Sequence, residues 1–245
     1  MTSCLFLDFD GVLFDTAYEC AVVTWCVRHG VRENYPGVTL DERFLRRFYD
    51  LKPYIRRARE YAVFASDAYL AVTDQASLDA VIARDLRAEE LEAFEKQFYA
   101  MRERIKAASF DWWIGLNRPY PWAVDLLRAR QDRTVVVSLK DGRTIGDTLG
   151  HWHLTARRVC DHAYAPTKRD AIVRVAAELG LALPRSVFVD DNVDHLLDLR
   201  AAGVVPVLAD WGYVTPSQRR AAVDAGIEVA TRETIASILA RTLSG

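Results

Sequence analysis

Three short apolar runs in this chain end abruptly in residues that can do chemistry. Leu5-Phe6-Leu7 runs into Asp8-Phe9-Asp10, Val135-Val136-Val137 into Ser138, and Val187-Phe188-Val189 into Asp190-Asp191. Lys168 adds a cation at the start of a helical pattern before the last of these. A short apolar run bounded by turn signals suits a buried strand of a parallel sheet. In such a sheet the active site lies at the carboxyl ends of the strands, so these residues can share one cleft. Asp8, Asp10, Asp190 and Asp191 would bring four carboxylates together there, and they repel strongly unless a cation neutralises them. All-oxygen ligation with waters retained is what Mg²⁺ prefers. For one acidic pair a solvated loop is the simpler reading; for the whole set it is not.

The elements that would position these residues alternate. Arg158-Val159-Cys160 is a weaker strand pattern, and Val204-Val205-Pro206-Val207-Leu208 a stronger one. Ala171, Ile172, Val175, Ala176 and Leu179 share one helical face, with Gly180 as a C′ residue. Leu196, Leu197 and Leu199 lead to Ala201-Ala202-Gly203, and a last helix is predicted from about Thr231 to Thr242. Strands alternating with helices predict an α/β fold, an open, doubly wound parallel sheet of Rossmann-like type. The stretch from Ala17 to Asn117 has no strand pattern. Thr39-Leu40-Asp41-Glu42 has capping-box spacing, Pro53 can open a helix, and Leu91, Phe94, Phe98, Met101 and Ile105 stripe a long helix from Ala88 to Ala108. Arg118-Pro119-Tyr120-Pro121 marks the return. The expected organisation is therefore a discontinuous core of residues 1–16 and 118–245, interrupted by an all-helical domain of residues 17–117.

The segment Leu7-Asp8-Phe9-Asp10-Gly11-Val12-Leu13-Phe14-Asp15-Thr16 resembles the first motif of the haloacid dehalogenase-like (HAD) superfamily. Ser138, Lys168 in Thr167-Lys168-Arg169-Asp170, and Val187-Phe188-Val189-Asp190-Asp191 resemble its second, third and fourth motifs, in the family's order. The helical stretch falls where the family inserts its cap, as in the phosphoglycolate phosphatase and β-phosphoglucomutase-like branch. The resemblance implies a Mg²⁺-dependent phosphatase acting on a small phosphorylated metabolite. Asp8 would be the nucleophile that takes up the phosphoryl group, and Asp10 the general acid and then base. Asp8, the Asp10 backbone carbonyl and the Asp190/Asp191 pair would hold Mg²⁺, with Asp191 direct and Asp190 through water. Gly11, Ser138 and Lys168 would bind the phosphoryl group.

Several readings stay open. Lys140 is either a second phosphate contact or a surface lysine. Tyr18, Lys52, Tyr54, Arg56 and Arg57 either read an anionic metabolite or form a wet helix face. Trp112 and Trp113 fit packing, Asp194 fits a solvated helix start as well as an acidic site, and nothing near His151-Trp152-His153 completes a zinc site. Lys168 lacks the Lys-Pro context common in the family. Cys20 stands where β-phosphoglucomutase-like members carry a His, which makes a sugar phosphomutase the weaker alternative. Dehalogenases usually lack the second Asp of the first motif, and a non-catalytic phosphate-binding module would be expected to have lost acids that this chain keeps. At 245 residues and a net charge of −2, the chain gives no electrostatic reason to expect nucleic acid or a membrane surface as partner. Its start lacks a signal-peptide pattern, and Cys4, Cys20, Cys26 and Cys160 form no Cys-x-x-Cys pair. A cytoplasmic location with reduced thiols is the expectation.

Overall fold

The computed structural model describes residues 3–200 and 202–243. Ala201, which the sequence places at the end of a helix, lies outside the described residues. The chain divides into two compact units, Met1–Asp15 with Pro119–Gly245, and Thr16–Arg118.

The strands, in chain order, are β1 (Leu5–Leu7), β2 (Phe14–Asp15), β3 (Arg118–Pro119), β4 (Thr134–Val137), β5 (Arg158–Cys160), β6 (Val187–Asp190), β7 (Val205–Ala209) and β8 (Glu228–Ala230). β2 and β3 form a two-stranded sheet of their own; the other six form one sheet ordered β5-β4-β1-β6-β7-β8, every pair parallel. Alternating side chains point to opposite faces of a strand, and both faces here are apolar. Leu5, Leu7, Val136, Val187 and Val189 pack on one side, and Phe6, Val135, Val137, Phe188 and Leu208 on the other. That is why these strands read as unbroken apolar runs rather than alternating ones.

In the Thr16–Arg118 unit the helices are α1 (Ala17–His29), α2 (Glu42–Leu51), α3 (Gln75–Asp85), α4 (Ala88–Ala108) and α5 (Phe110–Ile114). The α/β unit carries α6 (Pro121–Arg130), α7 (Gly142–His151), α8 (Lys168–Leu179), α9 (Val193–Arg200), α10 (Pro216–Asp224) and α11 (Ile235–Leu243). α6, α7 and α11 cover the first face of the sheet through Leu127, Ile145 and Ile238; α8, α9 and α10 cover the second through Ile172, Leu196 and Ala222. The fold is the doubly wound, Rossmann-like α/β sheet with an inserted helical unit. Phe94, Phe98, Met101 and Ile105 of the α4 stripe are buried in the insert's own core, beside Phe44, Phe48, Tyr61 and Phe64.

Three local expectations need correction. α2 is capped by Asp41, whose carboxylate accepts from Phe44 N–H at 2.9 Å, so Thr39 lies too far upstream to be the cap. Pro53 sits in a single 3₁₀ turn, Lys52–Tyr54, rather than opening a longer helix. Residues 231–234 form a turn held by Thr231 N–H on Thr234 Oγ1 at 2.9 Å; α11 begins only at Ile235, and the strand β8 precedes it. The four cysteines are buried and unbridged. Among the described residues no helix is long and apolar enough to cross a membrane.

Candidate active site

The strand order reverses direction at β1 and β6. From β1 the sheet grows through β4 to β5; the chain then crosses to β6 and grows outward through β7 and β8. Ligands of open α/β sheets bind outside the strand ends at such a switch point. Leu7 is level with Val189, and the Asp8 N–H donates to Val189 carbonyl at 3.0 Å. The next residues on the two strands, Asp8 and Asp190, therefore emerge side by side.

Their carboxylates share one cation. Lys168 occupies the first turn of α8, behind the Thr167 cap, and its Nζ lies 2.9 Å from Asp8 Oδ2 and 2.7 Å from Asp190 Oδ2. All three side chains are buried. Burial alone opposes ionisation of Asp190, but the Lys168 ammonium and His195 outweigh it and hold that carboxyl below the usual carboxylate range. For Lys168, burial is likewise overcome by Asp190 and Asp8, which push the ammonium above its ordinary value. Asp8 goes the other way. Burial raises its pKa, Lys168 lowers it, and Asp190 and Asp10 raise it further, leaving it above the usual value. One ammonium cannot neutralise two buried carboxylates, and the site is short of positive charge.

Asp191 completes the cluster: one oxygen each from Asp8, Asp190 and Asp191 lie within 4.8 Å of one another. Asp8 Oδ1 is buried and has no hydrogen-bond partner among the described residues. A buried lone pair of this kind normally has a partner. An orphaned carboxylate oxygen in an all-oxygen, charge-deficient cluster fits a hard divalent cation. Asp190 is the more committed of the strand-end pair. Its Oδ1 accepts from Asn192 N–H at 2.9 Å, and its Oδ2 takes Lys168 and His195 Nδ1, the latter at 3.2 Å.

Asp10, two residues after Asp8, meets a different cation. Lys140 Nζ lies 3.1 Å from Asp10 Oδ1. The Lys140 side chain is buried, which sets aside its reading as a surface lysine. Its backbone N–H reaches the Ser138 hydroxyl at 3.3 Å, so the segment after β4 folds back on itself at the sheet's edge of chemistry. Gly11 adopts φ +76°, its N–H donates to Phe14 carbonyl at 2.8 Å, and a Cβ on it would overlap Asp191 Oδ2. Glycine there gives Asp191 its room.

Asp194 is exposed at the start of α9, outside the carboxylate cluster. His151 packs edge-on to Trp152, and neither His151 nor His153 belongs to a metal-capable group among the described residues. In the insert, Arg56 is paired with Glu60 and Asp79, Lys52 is buried, and the Tyr54 hydroxyl donates to Thr73 carbonyl at 3.4 Å. Trp113 is fully buried. Two further residues of the site, His195 and Tyr213, fall outside the motifs; the Tyr213 N–H donates to Asp191 Oδ2 at 2.8 Å and its hydroxyl donates to Asp15 at 2.8 Å. Burial and the charge on Asp15 push the Tyr213 phenol well above its ordinary pKa, so it remains a donor. A Gly-Tyr pair just past a strand was the one available signal.

No protein-family model matches the chain, and no curated protein matches it. Solved structures do. A haloacid dehalogenase-like family hydrolase from Streptococcus pneumoniae is similar with a TM-score of 0.64 at 16% identity, over 97% of this chain and 98% of that one. A protein from Haemophilus somnus named a predicted phosphoglycolate phosphatase is similar with a TM-score of 0.62 at 17% identity, over 97% of each chain. The β-phosphoglucomutase of Clostridium difficile is similar with a TM-score of 0.58 at 15% identity, over 96% of this chain and 93% of that one. At these identities the likeness is one of fold. The chain has the haloacid dehalogenase-like fold, an α/β core with a helical unit inserted between β2 and β3.

Proposed function

We propose that this chain is a Mg²⁺-dependent phosphohydrolase that takes the phosphoryl group of a small phosphorylated metabolite onto Asp8 and passes it to water. The observation that carries the reading is the Asp8 carboxylate. One oxygen is held by Lys168, the other is buried with no hydrogen-bond partner among the described residues, and the carboxylate offers an oxygen within 4.8 Å of oxygens of Asp190 and Asp191. A nucleophile needs an oriented carboxylate with a lone pair to spare. Mg²⁺ held by Asp8, Asp191, the Asp10 carbonyl and, through water, Asp190 would shield the charge between the anionic nucleophile and the anionic substrate.

The chain's own groups supply the rest. An Asp8 oxygen attacks phosphorus as the bond to the leaving oxygen breaks, and the Asp10 carboxyl gives that oxygen its proton. Asp10, now ionised, takes a proton from the water that attacks the aspartyl-phosphate, releasing inorganic phosphate and restoring Asp8. Lys168 and the Ser138 hydroxyl stabilise charge growing on the phosphoryl oxygens. Lys140 holds the Asp10 carboxylate in place once it has given up its proton, and adds a second positive charge. Residues 17–117 serve as the cap domain that selects the leaving group.

Phosphate release from p-nitrophenyl phosphate and a panel of phosphorylated metabolites is the test. The wild type should release phosphate with Mg²⁺, and Asp8→Asn should fall to background for every substrate. Full activity in excess chelator would overturn the metal-assisted mechanism. Undiminished activity of Asp8→Asn would overturn the nucleophile.

A further inference from the structure

Asp191 is enclosed by two loops, and the second of them has no part in the chemistry described above. After β7 the chain continues Asp210-Trp211-Gly212-Tyr213. A Cβ on Gly212 would stand 2.5 Å from Asp191 Cβ, 2.6 Å from the Gly11 carbonyl oxygen and 2.7 Å from Asp191 Oδ2. Those distances are closer than any real Cβ tolerates, so the backbone at Gly212 is pressed directly against the carboxylate. From the opposite loop, Gly11 allows the same approach, and its Cβ would meet both Asp191 and, at 3.0 Å, the Tyr213 ring. The Tyr213 N–H then holds Asp191 Oδ2 at 2.8 Å.

This second loop is itself tied down. The Tyr213 hydroxyl donates to Asp15 Oδ1 at 2.8 Å, and Trp211 Nε1 donates to Val12 carbonyl at 3.2 Å. Trp211 also packs edge-on against Trp122, with ring centroids 4.3 Å apart. Asp15 and Val12 belong to the segment that carries Asp8 and Asp10, so the loop joins the two ends of the carboxylate cluster.

We propose that Gly212 and Tyr213 are positioning residues that fix the Asp191 carboxylate for cation binding, with Asp15 anchoring them through the Tyr213 hydroxyl. The proposal rests on the reading of the Asp8, Asp190 and Asp191 cluster as a metal site. A metal ligand gains affinity when groups behind it fix its orientation, and loss of such a partner typically costs about 10–100-fold in metal affinity.

Mn²⁺ binding to the whole protein, followed by electron paramagnetic resonance, tests it without reference to turnover. Gly212→Ala and Tyr213→Phe should each weaken binding, Tyr213→Phe by about tenfold because it keeps the ring and the amide. Gly146→Ala is the control: a Cβ there has nothing within 4 Å, so affinity should match the wild type. The two variants are repeated in an Asp191→Asn background. A residue acting through Asp191 has little left to lose there, whereas general damage adds in full. Wild-type affinity in both variants, or losses repeated undiminished with Asp191→Asn, overturns the clamp. If Gly212→Ala does not fold or Asp191→Asn binds nothing, Tyr213→Phe decides against Gly146→Ala, and equal affinity overturns the clamp. A wild type that binds no Mn²⁺ overturns the metal reading itself, and the clamp with it.

Discussion

Asp8 and Asp10 are two residues apart, yet each carboxylate faces its own lysine. Asp8 is bound to Lys168, which it shares with Asp190, while Asp10 is bound to Lys140. The division suits two roles, an immobilised nucleophile and a separate proton carrier. It predicts how the two positions respond to substitution. Asp10→Asn keeps the nucleophile and removes the proton donor, so its penalty should depend on the leaving group. General acid assistance is worth about 10²–10⁴-fold, and an alkoxide needs it far more than p-nitrophenolate does. Rapid-quench measurement of phosphoenzyme formation should therefore show a large loss with an alkyl phosphate and a small one with an aryl phosphate. Equal slowing for both would remove Asp10 from the acid's role. Asp191→Asn should instead weaken metal binding, because it takes away one negative charge from a cluster of three carboxylates.

At the scale of elements, the helical insert is organised around a buried ion pair that the sequence did not reveal. Arg102 on α4 meets Glu19 on α1 through two contacts, Nε to Oε1 at 2.7 Å and Nη2 to Oε2 at 3.0 Å, and Trp113 Nε1 donates to the same Oε1 at 3.0 Å. Both charged groups are almost wholly out of solvent. Breaking such a pair from one side leaves an uncompensated buried charge and costs about 3–5 kcal/mol. Arg102→Met should destabilise the protein by that order, and the double variant Arg102→Met with Glu19→Leu should lose less, as urea denaturation followed by circular dichroism would show. The pair was unreadable because its partners are separated by 83 positions and neither lies in a motif. Distance along the chain also hid the Lys140–Asp10 contact, across 130 positions, and the Tyr213–Asp15 contact, across 198, whereas His195 lies only five positions from Asp190 but in no motif. What was readable had a local signature: apolar runs ending in acid for β1 and β6 and in serine for β4, the α4 stripe, and Gly180 closing α8 with φ 64°. Glu228–Ala230 lacked one, since a strand of Glu-Val-Ala has no apolar run, and β8 went unseen.

For the whole molecule, the consequence of packing these carboxylates together is a fold whose stability depends on one lysine. Asp190 is held below the usual carboxylate range, so its contribution is complete above the unfolded value, about 3.9, and is lost as pH falls through its folded value. Lys168 is held above its ordinary value; its contribution is complete below about 10.4 and is lost only as pH rises through its folded value. Between roughly pH 4 and 10 the pair therefore stabilises the native state in full. Asp8 has the opposite sign: its raised value means that its ionised form costs stability, and acidification relieves that cost. Lys168→Met removes the shared ammonium and leaves Asp8 and Asp190 buried against each other. At pH 7 the loss should be about 3–5 kcal/mol. Without the lysine both carboxylates bind protons more readily in the folded state than in the unfolded one. The deficit in Tm relative to the wild type should therefore shrink as pH is lowered from 7 towards 5. Mg²⁺ should act in the same direction at pH 7, since a cation that binds only the native cluster raises Tm by mass action, and it should raise the variant's Tm as the protons do. Calorimetric scans of both proteins across that pH range, with and without Mg²⁺, provide the measurement. A deficit that stays constant with pH and ignores Mg²⁺ would mean that Lys168 supports the fold by packing rather than by neutralising the carboxylates of the site.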